Sequence, residues 1–376
     1  MKKLIACVLL VALLICGCAE KAPESALIGT PGSDNYDGGR VKARNPWDIA
    51  VFDGVLYVGS GDYDKNTGPV TVMAYDIKNN KWFDSGVLQD EAVSRFLTVN
   101  GKLTAPGIDP KAEWDYGNYY VLADGEWTTI DNVPGGVHMF DIAEFGGKIF
   151  YGLGTGNNYS APVKVSADNG QTYENVSFYR DGARLIGNEN YTYFRVYDFF
   201  LLGDTLYCTL NAYKESGSVG GIFRYDGEAF QFYGESIYSC GLSRERLGQV
   251  PLGAKQTYGE SLYVANGALF RTDNLTEFTE IALPDGSSTT DLLVEDDTMY
   301  ILSKLQNEDK TYKTTIWKYV SDTDIQPLYS FDYDLGGLSF AKNKNDFYVG
   351  IGEGNSDNWN GKGDVIGDIF EIKNVL

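Results

Sequence analysis

IAVFDGVLYVGS, residues Ile49–Ser60, decides the fold. An apolar stretch, an Asp53-Gly54 turn and a second apolar stretch with a central aromatic read as a β-hairpin. Asp-Gly tolerates the positive φ that a two-residue hairpin turn requires. The same design recurs as FLTVNGKLTAPG (Phe96–Gly107), IAEFGGKIFYGLG (Ile142–Gly154), DFFLLGDTLYCTL (Asp198–Leu210), KQTYGESLYVANG (Lys255–Gly267), DLLVEDDTMYILS (Asp291–Ser303) and LSFAKNKNDFYVGIG (Leu338–Gly352). The turns are Asn100-Gly101, Gly146-Gly147, Gly203-Asp204, Gly259-Glu260 and Asp296-Asp297, with a longer Lys-Asn turn expected in the last copy. Equivalent positions from Tyr57 to Tyr348 recur about every 48 residues, the size of a four-strand propeller blade with its loops.

The second half of each repeat agrees. Val70–Gly86, Tyr119–Ile130, Val163–Val176, Gly221–Gly234, Ala268–Ile281 and Thr315–Tyr329 each read as a strand pair around a polar turn. No segment sustains a 3.6-residue period, so helix is nearly absent. The last repeat ends after its third strand, at about residues 368–374. Its outer strand must come from the N-terminal side, from Ala26–Thr30 or Arg40–Ala43, or the ring keeps an open edge. The expectation is an all-β, seven-bladed β-propeller whose last blade is closed by an N-terminal strand.

Composition narrows the function. Among 376 residues, 31 Lys+Arg stand against 52 Asp+Glu, for a net charge of −21. Nucleic-acid binding needs clustered cations, so that class is excluded as a partner. One His removes every His-rich zinc site. Aromatic content of 14% with 44 Gly and only 11 Pro fits strands and turns rather than disorder.

The N-terminus reads MKKLIACVLLVALLICG. Lys2 and Lys3 precede the apolar run Leu4–Ile15, which is too short for a permanent membrane span. Ile15-Cys16-Gly17-Cys18 resembles the bacterial lipobox, which implies cleavage before Cys18 and lipid attachment to it. The expected organisation is a signal peptide over 1–17, a tether over 18–25 and the propeller over 26–376. The address that follows is a cell membrane or outer membrane, lipid-anchored, on the extracytoplasmic face. After cleavage, Cys208 and Cys240 remain beside Cys18. An oxidising compartment permits them one disulfide, and a strand position equally lets Cys208 serve as a small buried hydrophobe.

Ser166, Asp168, Gly170, Thr172 and Tyr173 match the Asp-box pattern, and the chain resembles propellers of the kelch and Asp-box kinds. That resemblance implies a structural rim turn and assigns no chemistry. The Phe-Arg-Ile-Pro motif of sialidases is absent, the nearest string being Phe194-Arg195-Val196-Tyr197.

In a propeller, the loops leading into the inner strands share one face with the loops joining second and third strands. Here these are the long, unusual ones, and such loops carry function more often than scaffold does. Counting back five residues from each inner turn gives Asp48, Arg95, Asp141, Asp198, Ala254 and Asp291. The acidic ring reads either as a site for a cationic or hydroxyl-rich ligand or as a set of staples to backbone N–H groups. Repetition favours staples, because catalysis breaks symmetry whereas packing repeats. Trp47, Trp114, His138, Tyr193, Arg195 and Trp359 complete the candidate ligand-binding residues, suited to a sugar or a peptide.

No cofactor is expected, with calcium left open at Asp62-x-Asp64-x-Asn66, which echoes a calcium loop although its Gly is displaced to 68 and no Glu closes the set. Gly152-x-Gly154-x-Gly156 has no following helix to hold a phosphate. The leading expectation is a non-catalytic surface module for a glycan or protein ligand. The alternatives are a carbohydrate-active enzyme using carboxylates at the channel mouth, and an envelope-complex scaffold.

Overall fold

A computed structural model describes residues 22–31, 41–65, 67–113, 117–235, 254–353 and 363–376. The chain is all-β, and among these residues helix is confined to short 3-10 turns such as Val41–Arg44, Tyr63–Lys65 and Gly363–Val365. The tight turns form as their chemistry requires. Asp53 and Gly54 take φ of 50° and 76°, Asn100 and Gly101 take 49° and 69°. The last hairpin departs from expectation: Asn343 pairs directly with Asp346, so Lys344-Asn345 is another two-residue turn, with Lys344 at φ 58°.

Small antiparallel sheets are arranged as in a propeller, each led by one hairpin. The first is Asp48–Phe52, Val55–Gly59, Val70–Asp76 and Lys81–Leu88, and the second is Leu97–Val99, Lys102–Pro106, Gly117–Ala123 and Glu126–Val133. Two further four-stranded sheets span Ala254–Ile281 and Ser288–Tyr333. In the remaining one, Gly337–Asn343, Asp346–Ile351 and Ile369–Lys373 take Glu24–Gly29 as their outer strand.

Seven separate blades are not what forms. Five four-stranded sheets stand apart, and the third and fourth hairpin-led units merge into one ten-stranded sheet. The cause is strand length. Lys148–Thr155 and Tyr193–Leu202 run on until Gly154 pairs with Arg195, and Thr155 Oγ1 accepts the Phe194 N–H at 3.0 Å. The connecting chain adds two further strands, Ser177–Arg180 lying parallel to Ala229–Gly234 and Ala183–Arg184 pairing antiparallel to Ser177–Arg180.

The ring is closed by the N-terminal strand, Glu24 pairing with Lys373 and Leu27 with Phe370. Trp82 Nε1 donates to the Ile28 carbonyl at 2.8 Å, and Tyr329 OH donates to Ser25 Oγ at 3.1 Å. Closure therefore starts at Glu24, two residues inside the span read as a tether, while the other candidate, near 40–43, forms a 3-10 turn.

The core lies between the sheets. Ile49, Leu56, Val58 and Tyr75 of the first sheet pack on Ala341, Tyr348 and Ile369 of the last. Burying one such large side chain is worth roughly 1.5–3 kcal/mol. Cys208 is a free, fully buried thiol packed among Phe199, Leu206 and Phe223, and burial pushes its pKa up. Cys240, Cys18, Trp114 and Trp359 lie outside the described residues.

At the Asp-box match, Asp168 accepts the Thr172 N–H at 2.8 Å and the Thr172 hydroxyl at 2.7 Å, while Ser166 Oγ accepts the Gly170 N–H at 2.8 Å. These bonds, the Thr172 hydroxyl first, draw the Asp168 carboxyl down to about 2. The segment is a self-satisfied turn between Val163–Ser166 and Glu174–Asn175.

Candidate functional site

The sheets surround a central channel of about 830 Å³, lined among others by Trp47, Asp48, Arg95, Asp141, Lys255 and Asp291. Strand register explains why these meet. Asp48 pairs with Gly59, Asp141 with Gly152, Asp198 with Thr209, Asp291 with Leu302, and Ser339 with Gly350. The inner strands leading to Asp141, Asp198, Asp291 and Ser339 each carry a bulge just before that residue. A bulge inserts one unpaired residue and re-aims its neighbours.

Three ring carboxylates are staples between units. Asp48 accepts the Phe96 N–H at 2.6 Å, Asp141 the Phe199 N–H at 2.7 Å, and Asp291 the Phe340 N–H at 3.0 Å. Each reaches the residue that follows the ring position of the next unit. Ser339 continues the pattern by donating to the Pro46 carbonyl at 2.7 Å. Gly59, opposite Asp48, permits the close approach this needs: a Cβ there would stand 2.6 Å from the Val93 carbonyl oxygen.

The other side of the ring is an ion cluster. Arg95 lies 2.8 Å from Asp141 and 3.2 Å from Asp198, and Lys255 Nζ lies 3.1 Å from Asp141 and bonds Asp198 as well. Sequence reading placed Ala254 at this ring position, which its pairing with Ala265 bears out. The neighbouring Lys255 supplies the charge, because its four-carbon stem lets it reach where Ala254 has nothing to offer. Burial pushes the Asp141 carboxyl up, but Arg95 and then Lys255 outweigh it and hold it below its ordinary range.

Among the described residues, no Lys or Arg bridges Asp48 and Asp291 as Arg95 and Lys255 bridge Asp141 and Asp198. Burial, opposed by the Phe96 N–H and Arg95, pushes Asp48 up to about 6; burial and then the Asp48 charge push Asp291 well up. A carboxyl whose pKa rises on folding binds its proton more tightly when native, so its contribution is fully present below the unfolded value of about 3.9. It is lost as pH rises through 6. Asp48→Asn keeps an acceptor for Phe96 and cannot ionise. Relative to the parent, this variant should gain about 1–3 kcal/mol on going from pH 4 to pH 8. Urea unfolding at the two pH values measures the difference, and an equal offset at both would show that Asp48 does not titrate there.

Above the ring, the same strands build a second feature. His138 and Arg195 stand three residues before Asp141 and Asp198, and the bulges between release Phe140 and Tyr197 from the ladder. Those two rings meet with centroids 4.7 Å apart. Tyr193 and Tyr213, cross-strand partners, stack in near-parallel planes at 4.4 Å. The Arg195 guanidinium carbon lies 5.9 Å from the Phe140 ring centre, 5.6 Å from Tyr193 and 5.7 Å from Tyr213. Arg195 Nη1 donates to Tyr197 OH at 3.3 Å, which is itself 3.0 Å from Tyr213 OH.

His138 closes this cradle. Its Nδ1 donates to the Ile108 carbonyl at 2.5 Å and stands 3.5 Å from Asp109, with Tyr63 edge-on to its ring. Burial pushes the imidazole below its ordinary range against the pull of Asp109. Gly154 makes room for it, since a Cβ there would come within 2.9 Å of His138 Cδ2 and 3.0 Å of Phe140 Cε2. The Ile108-Asp109 loop is pinned from below by the buried Asp90, which accepts from the Asp109 N–H at 2.9 Å, Asn118 Nδ2 at 2.7 Å and Tyr120 OH at 2.5 Å. Burial pushes Asp90 up to about 7.

Of the sequence-read residues, His138, Tyr193 and Arg195 thus come together, and Asp48, Arg95, Asp141, Asp198 and Asp291 form the ring beneath. Trp47 lines the channel mouth and donates from Nε1 to the Gly61 carbonyl at 2.6 Å. Asp62 of the calcium-like run is buried with Lys42 Nζ 3.7 Å away, an ammonium beside a proposed cation ligand. The Asp64 side chain and Asn66 lie outside the described residues. Sequence reading missed Lys255, Ser339, Phe140, Tyr197, Tyr213 and Asp109. Ser339 depends on a two-residue turn at Lys344-Asn345, and Tyr213 meets Tyr193 only because the bulge at Tyr197 shifts the register by one residue.

No protein-family model matches this chain, and no curated protein matches it in sequence. Among solved structures it is similar to PorZ, an essential bacterial surface component of the type-IX secretion system of Porphyromonas gingivalis. That likeness has 12% identity and a TM-score of 0.52, over 88% of this chain and 46% of that one. The chain spans about half of that protein's length. It is also similar to the β-propeller domain of the trilobed protease from Pyrococcus furiosus (10% identity, TM-score 0.43, covering 80% and 89%). A polysaccharide lyase is similar at 9% identity and a TM-score of 0.47, covering 95% and 99%. At these identities the likenesses bear on fold alone, and the fold is a β-propeller.

Proposed function

We propose that this chain is a non-catalytic binding module, lipid-anchored through Cys18 on the extracytoplasmic face, that takes a glycan or protein ligand on its loop-rich face. The observation that carries the reading is the cradle of half-buried Tyr193, Tyr213, Arg195 and His138, backed by the buried Phe140 and Tyr197. Flat aromatic faces beside a few fixed polar groups suit a ligand with apolar faces and hydroxyl edges. The ring supports the same reading from the other side. A carbohydrate-active enzyme needs carboxylates available to substrate, whereas Asp48, Asp141 and Asp291 accept backbone N–H groups and Asp198 faces two cations.

The test is a glycan array and a surface-protein pull-down with the soluble domain begun at residue 22, so that the closing strand is kept. Tyr193→Ala with Tyr213→Ala removes the stacked platform and should weaken the bound ligand about tenfold or more. Unchanged affinity in that double variant, with its melting profile intact, would take the cradle out of the reading.

A further inference from the structure

No carboxylate among the described residues pairs with the half-buried Arg195. Among the described residues, Arg95, Arg180 and Arg271 each stand within 3.2 Å of an acidic side chain. Arg195 is held instead by Tyr197 OH and by the faces of Phe140, Tyr193 and Tyr213, while burial opposes its charge. A guanidinium partly removed from water beside aromatic faces, with no anion among the described residues, is a costly arrangement in a chain of 52 Asp+Glu. Its planar fork is also the side-chain geometry that grips a carboxylate through two parallel hydrogen bonds.

Resting on the binding-module reading, we propose that the cradle takes a short uronate-containing oligosaccharide, with the sugar carboxylate on Arg195. The Tyr193–Tyr213 stack supplies a platform for the C–H face of a pyranose. His138 and Asp109, 3.5 Å apart at the cradle's edge, supply a donor and an acceptor for ring hydroxyls. A short chain is favoured over a long one because a net charge of −21 opposes an extended polyanion, while one carboxylate on one guanidinium is a local contact. A peptide would lack the ring faces that the platform matches, and it enters as an outcome of the test.

The experiment is calorimetric titration of the soluble domain with galacturonate, glucuronate and mannuronate trimers, each beside its carboxyl-reduced counterpart. At least one uronate trimer should bind about 30-fold more tightly than its reduced form, the range expected for a charge-assisted bidentate contact. Arg195→Gln should abolish that preference while leaving the weak binding of the reduced form. Arg195→Lys should retain part of it. Tyr193→Ala should weaken acid and reduced forms alike and leave their ratio unchanged, so that a lost preference reports on Arg195 and a general loss on the platform. Equal binding of acid and reduced forms, a preference that survives Arg195→Gln, or no uronate binding at all each overturns the proposal. If neutral glycans or a peptide bind at the cradle instead, the module reading stands alone; if the array and pull-down are also blank, both fall.

Discussion

Arg95→Met should cost about 3–5 kcal/mol, the range for breaking a buried ion pair by removing one partner. The substitution keeps the length and apolar stem of the side chain while deleting the guanidinium that stands between Asp141 and Asp198. The two carboxylates are 4% and 0% exposed, so neither can recover the loss by hydration. Lys255 alone would then face both. Urea unfolding at pH 7 measures the cost, and the loss should shrink at pH 4, because Asp141, deprived of Arg95 while still buried, holds a proton more readily. Adding Asp198→Leu to Arg95→Met leaves one carboxylate for one ammonium and should return a large part of the stability. A loss below about 1 kcal/mol for Arg95→Met would mean that water reaches the cluster and screens it.

Deleting residues 22–29 should have a comparable effect with a different signature. Five ladder pairs join Glu24–Gly29 to Ile369–Lys373. At roughly 0.5–1.5 kcal/mol net per hydrogen bond, the ladder is worth about 3–7 kcal/mol before apolar contacts are added. The deletion also uncovers Ile369–Lys373 as a free edge, a template for pairing with another chain. The truncated protein should melt lower and run as concentration-dependent oligomers in light scattering. A peptide spanning residues 22–29, added in trans, should restore the monomer by strand addition. An unchanged melting temperature with a monomeric profile would show that this strand decorates the ring without closing it.

The repeated hairpins were legible because turn chemistry is local. Asp53-Gly54 and Asn100-Gly101 need nothing beyond their own residues to favour positive φ. The acidic ring was legible for the same reason, since a fixed offset from a tight turn is a fixed place in the sheet. Ser339 escaped because Lys344-Asn345 does not look like a tight turn, and the count had nowhere to start. Lys255 escaped because its role depends on side-chain reach, not on register. The cradle was legible only as residue types on loops. Strict alternation cannot free Phe140 and Tyr197, and the bulges that do so have no sequence signature of their own. The merger of the third and fourth units was hidden too, since a Gly154–Arg195 pairing depends on how two long strands twist toward each other.

The closing strand also sets a timetable. Gly29 pairs with Ile369, a residue made 340 positions later. At about 5–20 residues per second, a growing chain waits roughly 20–70 s between the two events. During that interval every internal hairpin can form from neighbouring residues, but the first strand has no partner and the circle stays open. Joining the ends carries the largest loop-closure entropy in the molecule, so it belongs at the end of folding. Synthesis of the final strand, not of any sheet before it, is the event that makes the ring a ring.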